Sequence, residues 1–295
     1  MKIELKKISY VLITPAHNEE SYIEKTIQSV ISQTILPTKW VVVSDGSTDG
    51  TDDIIRKYTK QNSWIELIRT KDHNECSFGS KALAINSGYQ QLKHLEYEFI
   101  GILDADITIA ADYYQRILLK FEENAHARLG VAGGMIAELR KGKFTILDYN
   151  VNSVAGAVQL FRRRCFEEIG GYRPLKLGGI DALAEIMLRM RGWQVKSFKD
   201  IIAYHHRRIG TTRGSLVRSR FRYGLKDYSI GTHPLFMFLK CIHRFQEKPY
   251  IFGGILMLSG YFWAWIRREP KAVSEEIVRF VRYEQINRMK SKIPF

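Results

Sequence analysis

Cysteine is scarce in this chain, and the three residues present, Cys76, Cys165 and Cys241, show no paired spacing. That excludes a zinc site or a disulfide framework, and the odd count fits a reducing compartment. All three read as packing residues. Long apolar runs are equally rare. Behind Lys2, Lys6 and Lys7 the apolar stretch extends only from Ile8 to Ile13 and contains Ser9, too short for a signal-peptide core. On this reading the chain begins in the cytoplasm. No repeat, low-complexity tract or Pro/Ser-rich linker divides it. With 295 residues and 45% hydrophobic content it suffices for one large domain, or one domain and an appendage, which argues against disorder.

Acidic residues are short in one region only. From His205 to Phe295 there are 18 Lys and Arg against 6 Asp and Glu, so this stretch carries +12 of the net +14. Such a block suits a polyanion: anionic lipid headgroups, a pyrophosphate-linked acceptor or nucleic acid. The plainer reading is a solvated surface. Within the block, Tyr250 to Ile266 is 17 residues without a charge, flanked by Lys248 and by Arg267 and Arg268. As a helix it would be about 26 Å long, short of a hydrocarbon core of about 30 Å. Tyr261, Phe262, Trp263 and Trp265 crowd one end, as in segments that lie at a bilayer interface. A crossing and a buried soluble helix remain alternatives.

The first two hundred residues alternate apolar strands with amphipathic helices. Tyr10 to Ile13, Trp40 to Val43, Ile65 to Ile68 and Phe99 to Leu103 read as buried strands. Between them Ile23, Ile27, Val30 and Ile31 share a helix face that Asn18 or Ser21 would cap. Thr48 or Asp49 opens a second helix with Ile54, Ile55 and Tyr58. A third, from about Ser80 to Leu92, would bury Leu83, Ile85 and Tyr89. The order β-α-β-α-β-α-β implies right-handed crossovers and a mainly parallel sheet flanked by helices. After a helix with Tyr114, Ile117, Leu118 and Phe121 come strand-like runs at Gly130 to Glu138 and Gly156 to Arg162. A loop at Gly170 to Pro174, a helix from Asp181 to Met190 and short strands at Val195 to Phe198 and Ile201 to His205 complete this part.

Polar groups gather where the strands end. Pro15, Ala16, His17, Asn18 and Glu19 follow the first strand, Ser44 to Gly50 follow the second, and Asp104-Ala105-Asp106 follow the fourth. In open α/β sheets ligands sit beyond the carboxyl ends of the strands, so one crevice accounts for all three. Two acids flanking one small residue at a strand's end point the same way, which suits Mg2+ or Mn2+ holding a diphosphate. Alone, each motif is equally a solvated turn or a helix cap.

The ordered set of Pro-x-x-Asn-Glu, Ser-Asp-Gly-Ser-x-Asp-Gly-Thr, Asp-x-Asp and Gly-Gly-Tyr closely resembles family 2 glycosyltransferases of the GT-A fold over about residues 8 to 206. The resemblance implies a catalytic domain over residues 1–206, followed by a basic helical region over 207–295 with the membrane candidate at 250–266. It implies that Asp45 contacts the donor's nucleoside beside Pro15, Ala16, Asn18, Glu19 and Gly46. Lys81, near a helix start, would assist the diphosphate. Gly171 and Tyr172 complete the substrate-binding set. Asp106 would contact the metal directly, with Asp104 nearer the ribose or the metal's water, and His205 or His206 is a further candidate ligand. Asp181 would be the general base, 11 residues before Gly192-Trp193. The family's usual Glu-Asp is here Ile180-Asp181, and Glu185, one turn on, is a partial substitute.

The implied reaction is transfer with inversion from a nucleotide-sugar, UDP by resemblance, to a hydroxyl of a lipid-linked or cell-envelope glycan at the inner membrane face. The Gln-x-x-Arg-Trp motif of processive members is missing; Arg218 to Gly224 stand in that region, which favours transfer of single sugars. Two other classes remain. A nucleotidyltransferase would need a glycine-rich basic loop after the first strand, and Thr14 to Glu19 hold no glycine. A non-catalytic nucleotide-sugar-binding homologue is conceivable through Ile180. Nucleic-acid binding leaves an acidic crevice unexplained.

Overall fold

Four short strands with apolar centres form the parallel half of the sheet. In the computed structural model, which describes residues 8–70, 78–140, 142–147, 150–207, 216–246 and 250–291, they are β1 (Tyr10–Ala16), β2 (Lys39–Asp45), β3 (Ile65–Thr70) and β4 (Phe99–Ile102). Three helices connect them: α1 (Ile23–Ile31), α2 (Thr51–Thr59) and α3 (Phe78–Leu92). The readings made for Lys2, Lys6, Lys7, Cys76 and Lys248 fall outside the described residues.

Beyond β4 the chain adds β5 (Ile107–Ile109), α4 (Tyr113–Glu123), β6 (Leu129–Arg140), β7 (Lys143–Ile146), β8 (Leu160–Arg162), α5 (Arg163–Glu168), α6 (Ile180–Met190) and β9 (Gln194–His205). The sheet order is β3-β2-β1-β4-β8-β6-β9-β5, with β7 on β6. Strands β3, β2, β1 and β4 run parallel, as do β6 and β9, whereas β8 and β5 are antiparallel to their neighbours. Packing divides the chain into two units, Met1–Pro174 with Ile180–Arg208, and Leu175–Gly179 with Ile209–Phe295.

Several local expectations are corrected. The helix α3 buries Ala82, Ile85 and Leu92 and leaves Leu83 44% exposed. Gly88 sets that face: a Cβ there would meet Ile13 at 2.8 Å and Val43 at 3.0 Å, so the helix lies close on β1 and β2. Asn18 does not cap α1, because its Oδ1 accepts from the Thr48 N–H at 2.8 Å. The two short strands expected near the end of the catalytic unit are one strand, β9. Its pairing with β6 slips between Gly134↔Phe198 and Met135↔Ile202, and a Cβ on Gly134 would lie 2.6 Å from the Ile201 carbonyl. The extra residues read as a break in the sequence; in the sheet they are a bulge.

The second unit is helical: α7 (Leu216–Ser229), α8 (Pro234–His243), α9 (Tyr250–Ile266) and α10 (Glu275–Lys290). Tyr228, Met237, Cys241, Met257, Tyr261 and Ala264 form its core. Asp227 and Lys240 pair at 2.8 Å between α7 and α8. Among the described residues no helix is long and apolar enough to cross a membrane.

Candidate active site

The first two strand tips are stitched to one another by side chains. Asn18 takes a left-handed backbone, φ 55°, which its short amide tolerates, and Gly46 does so at φ 65°. Asn18 N–H donates to Ser47 Oγ at 3.2 Å, and Glu19 N–H to Thr51 Oγ1 at 2.7 Å. Asp45, at the end of β2, accepts a hydrogen bond from Thr70 Oγ1 at 2.9 Å, since the parallel register sets Asp45 opposite Thr70 on β3. Arg69 braces the same loop, bonded to Asp52 and, at 2.8 Å, to the Ser47 carbonyl. Thr70 and Arg69 carry no motif, and only the strand register reveals them.

Asp104 and Asp106 lie on a turn after β4, not on its pleat: Ile107 N–H donates to the Asp104 carbonyl at 3.3 Å. Their carboxylates nevertheless serve one site. Lys81, in the first turns of α3, reaches Asp104 at 2.7 Å and 2.8 Å to its two oxygens. Asp106 Oδ2 stands 3.0 Å from His205 Nε2 and 3.6 Å from Arg207 Nε. Arg207 also pairs with Glu19 and lies over the Tyr22 ring, linking the tip of β1 to that of β9. Arg207 was passed over in the sequence, where it is one basic residue among several. His206 faces elsewhere, with Nε2 2.8 Å from Thr108 Oγ1 and its ring against Tyr22 and Phe144.

Asp181 opens α6, half-buried, directly against Gly156, where a Cβ would lie 2.6 Å from Asp181 Oδ2. The Asp181 charge is felt by Lys81 together with those of Asp104 and Asp106, so these groups share one electrostatic environment. Glu185 does not share it as a spare base. It is 3% exposed and accepts from Ser153 Oγ, Val154 N–H and Gln159 Nε2 at 2.7 to 3.1 Å, holding the loop before β8. Tyr172 is also beneath the site, 2% exposed, with its hydroxyl on Gln159. Asn86 clasps the Tyr172 backbone from α3, accepting from its N–H at 3.1 Å and donating to its carbonyl at 2.7 Å. Gly171, at φ 74°, leaves room for that amide. The Gly-Gly-Tyr element thus meets the site from below, by positioning.

Burial and mutual repulsion set the charges. Burial raises the Asp104 carboxyl above the usual range; Lys81 opposes this and Asp106 adds to it. Burial alone would raise Asp106 as well, but the hydrogen bond and charge of His205, then Arg207 and Lys81, hold it below. Burial disfavours charge on His205, yet Asp106 outweighs it and the imidazole is shifted up. Glu19 is pushed up to about 7, first by burial and then by Asp106, with Arg207 opposing.

These donors could serve only a hard cation that brings most of its own ligands. Among the described residues no group of three or more His, Cys, Asp and Glu is arranged to hold a metal ion. Asp106 Oδ2 and His205 Nε2 are joined by a hydrogen bond at 3.0 Å, so the pair would face a cation only after the imidazole gives up the shared proton. Two protein ligands leave the remaining positions to phosphate oxygens and water, the usual division for Mg2+.

The sequence profile of Glycosyl transferase family 2 matches residues 11–170, more than half of the chain. The chain belongs to glycosyl transferase family 2. It is similar to the poly-beta-1,6-N-acetyl-D-glucosamine synthases of Staphylococcus aureus, strain COL, and Staphylococcus epidermidis, each at 23% identity. The matches cover 89% and 87% of this chain and 64% and 65% of those proteins, so the chain spans under two thirds of their length. Among solved structures it resembles the mannosyltransferase PcManGT of Pyrobaculum calidifontis, in complex with GDP-Man and Mn2+, at TM-score 0.56 and 20% identity over 95% of this chain and 80% of that one. Residues 1–349 of S. aureus TarS, in complex with UDP-GlcNAc, align at TM-score 0.54 and 15% identity over 97% and 82%. These likenesses establish the fold: a GT-A sheet flanked by helices, with the family 2 match extending over the strands whose tips carry Asn18, Asp45, Asp104 and Asp106.

Proposed function

We propose that this family 2 chain is an inverting glycosyltransferase, moving one sugar from a nucleoside-diphosphate sugar to a hydroxyl of a lipid-linked or cell-envelope glycan. The single observation that carries the reading is Lys81, which bonds Asp104 while lying in the combined field of Asp104, Asp106 and Asp181. A lysine, a candidate cation pair and a candidate base then meet where a diphosphate and a sugar carbon must meet.

In this reading Asp45, steadied by Thr70, receives the nucleoside, and Asn18 and Gly46 shape the wall beside it. Asp106 and His205 would hold a divalent cation, Mn2+ or Mg2+, which when bound supplies Lewis acidity toward the diphosphate. Lys81 exchanges part of its contact with Asp104 for a phosphate oxygen. Asp181 takes the proton of the acceptor hydroxyl as its oxygen attacks the anomeric carbon. The new C–O bond forms opposite the breaking sugar–phosphate bond, whose electron pair leaves with the nucleoside diphosphate, so configuration inverts. Glu185 stays with Ser153 and Val154 throughout.

UDP is the favoured nucleotide, in line with the UDP-GlcNAc complex of TarS; the GDP-Man complex of PcManGT makes GDP-mannose the next donor to test. Single-sugar transfer is favoured by Arg218 to Gly224 in place of the processive motif, although relatives at 23% identity are named as synthases of a polymer. An anionic membrane surface is the proposed working place. The test is a panel of nucleotide-sugars with Mn2+ or Mg2+, followed by calorimetry, product NMR and chain-length analysis. One donor that binds, transfers once and inverts is the expected result. Release of pyrophosphate from a nucleoside triphosphate would instead identify a nucleotidyltransferase.

A further inference from the structure

We infer that α9 lies in the plane of an anionic bilayer, with one face in the lipid and the other on its own unit. This rests on the membrane-surface part of the proposed function, and is independent of the transfer chemistry.

The faces of α9 are assigned by its glycines. A Cβ on Gly260 would lie 2.1 Å from the Phe221 carbonyl, and a Cβ on Gly224 of α7 would lie 2.0 Å from the Met257 carbonyl. On the same side a Cβ on Gly254 would strike Phe245 at 2.4 Å. Backbones this close admit no side chain, so Gly253, Gly254, Met257, Gly260, Tyr261 and Ala264 must face inward, and all are buried. At about 100° per residue the opposite side carries Ile251, Phe252, Ile255, Phe262, Trp263 and Ile266, all exposed. Phe252 is 74% exposed and Ile266 71%. An apolar face so continuous on a protein surface marks an interaction site.

Three features choose lipid as its occupant. The helix contains no charged residue, and Ser259, a polar residue on the outward side, donates its hydroxyl to the Ile255 carbonyl at 2.9 Å, so it carries no unmet donor into an apolar phase. The exposed Arg267 and Arg268 follow the aromatic end directly, with Arg267 over the Trp263 ring, an arrangement that seats aromatic rings at headgroup level and guanidinium groups on lipid phosphates. A second copy is disfavoured by charge: the stretch from His205 onward carries +12, and pairing two such units brings like charges together, while an anionic bilayer neutralises them. With 17 residues the helix is too short to cross, but it suits immersion to a depth of about 5 to 10 Å.

The experiment is flotation of the full chain with phosphatidylcholine vesicles, either pure or containing about a quarter phosphatidylglycerol. Binding is expected to the anionic vesicles, to weaken with salt, and to fall at least about tenfold in the double variant Phe252→Ser, Ile266→Ser and in Arg267→Glu, Arg268→Glu. Both pairs are exposed, so melting temperature should hold within a few degrees. Brominated lipids should quench Trp263 and Trp265 best when the bromine is near the headgroup. No binding at low salt, retained binding by both variants, quenching strongest at the bilayer centre, or a wild-type dimer that Phe252→Ser, Ile266→Ser dissociates would each overturn the inference. Donor binding without lipid tests the transferase reading on its own, so the two failures are distinguishable.

Discussion

Lys81 holds both carboxylate oxygens of Asp104, at 2.7 and 2.8 Å, so the lysine expected to meet a phosphate is already engaged with an acid. A phosphate must therefore compete for it, and the competition is favourable only if another positive charge relieves Asp104. Replacing Lys81 with Met should weaken nucleoside-diphosphate binding about 10- to 100-fold, the scale of one charge-assisted hydrogen bond. Isothermal titration with UDP and Mn2+ measures it, and unchanged affinity would remove Lys81 from the site.

Asp106 and His205 should be read out by the cation alone. Adding Mn2+ to the wild type should raise its melting temperature, since a ligand bound only to the folded state stabilises it. In His205→Ala that increment should shrink by more than half, whereas His206→Ala, which loses a bond to Thr108, should retain it. Equal losses in both variants would mean that the two histidines are not distinguished as their contacts suggest.

Gly156 offers a test of Asp181 that keeps its carboxylate in the chain but moves it. A methyl group at residue 156 would stand 2.6 Å from Asp181 Oδ2 and must displace it. Gly156→Ala should lower the transfer rate by about 10- to 100-fold, and Asp181→Asn by about 100- to 10,000-fold, the usual range for a general base. In both, donor affinity should stay within about twofold. A normal rate in Asp181→Asn would leave the base unassigned.

Glu185 predicts a pH dependence of stability. Burial pushes its carboxyl up to about 7, against the Val154 N–H, Arg189 and Ser153, from an ordinary value of 4.5. Between those two values the unfolded chain releases this proton and the folded chain keeps it, so stability falls as pH rises through the window and levels off above it. The loss is on the order of 3 kcal/mol at most. Glu185→Gln should remove the Glu185 share of the slope seen from pH 4.5 to 7, leaving the shares of Glu19 and Asp104, whose carboxyls burial also raises. Chemical denaturation across that range compares the two proteins; parallel curves would assign the slope elsewhere.

The parallel half of the fold was legible because its strands are buried on both faces: Val11 to Ile13 and Trp40 to Val43 are apolar without interruption, and the helices between them repeat at i and i+4. The pairing partners were not. Thr70 beside Asp45, Arg207 beside Glu19 and Gly156 beside Asp181 lie 25, 188 and 25 residues away in the chain, and no local pattern records a contact set by register. Leu83 and Glu185 misled for a shared reason. Helical spacing fixes which residues share a side, but the neighbouring backbone decides which side is covered: Gly88 turns Leu83 outward, and the loop at Ser153 and Val154 claims Glu185.

Only four residues, Leu103 to Asp106, separate β4 from β5, yet three strands lie between them in the sheet. A flat sheet would set them about 19 Å apart, whereas a chain folded back by the Asp104 to Ile107 turn reaches about 14 Å. The sheet therefore curls, bringing β5 back toward β4. The acidic triplet is the seam of that closure, so a single-residue insertion there would do more than move two carboxylates: it would slacken the joint that brings His205 within reach of Asp106.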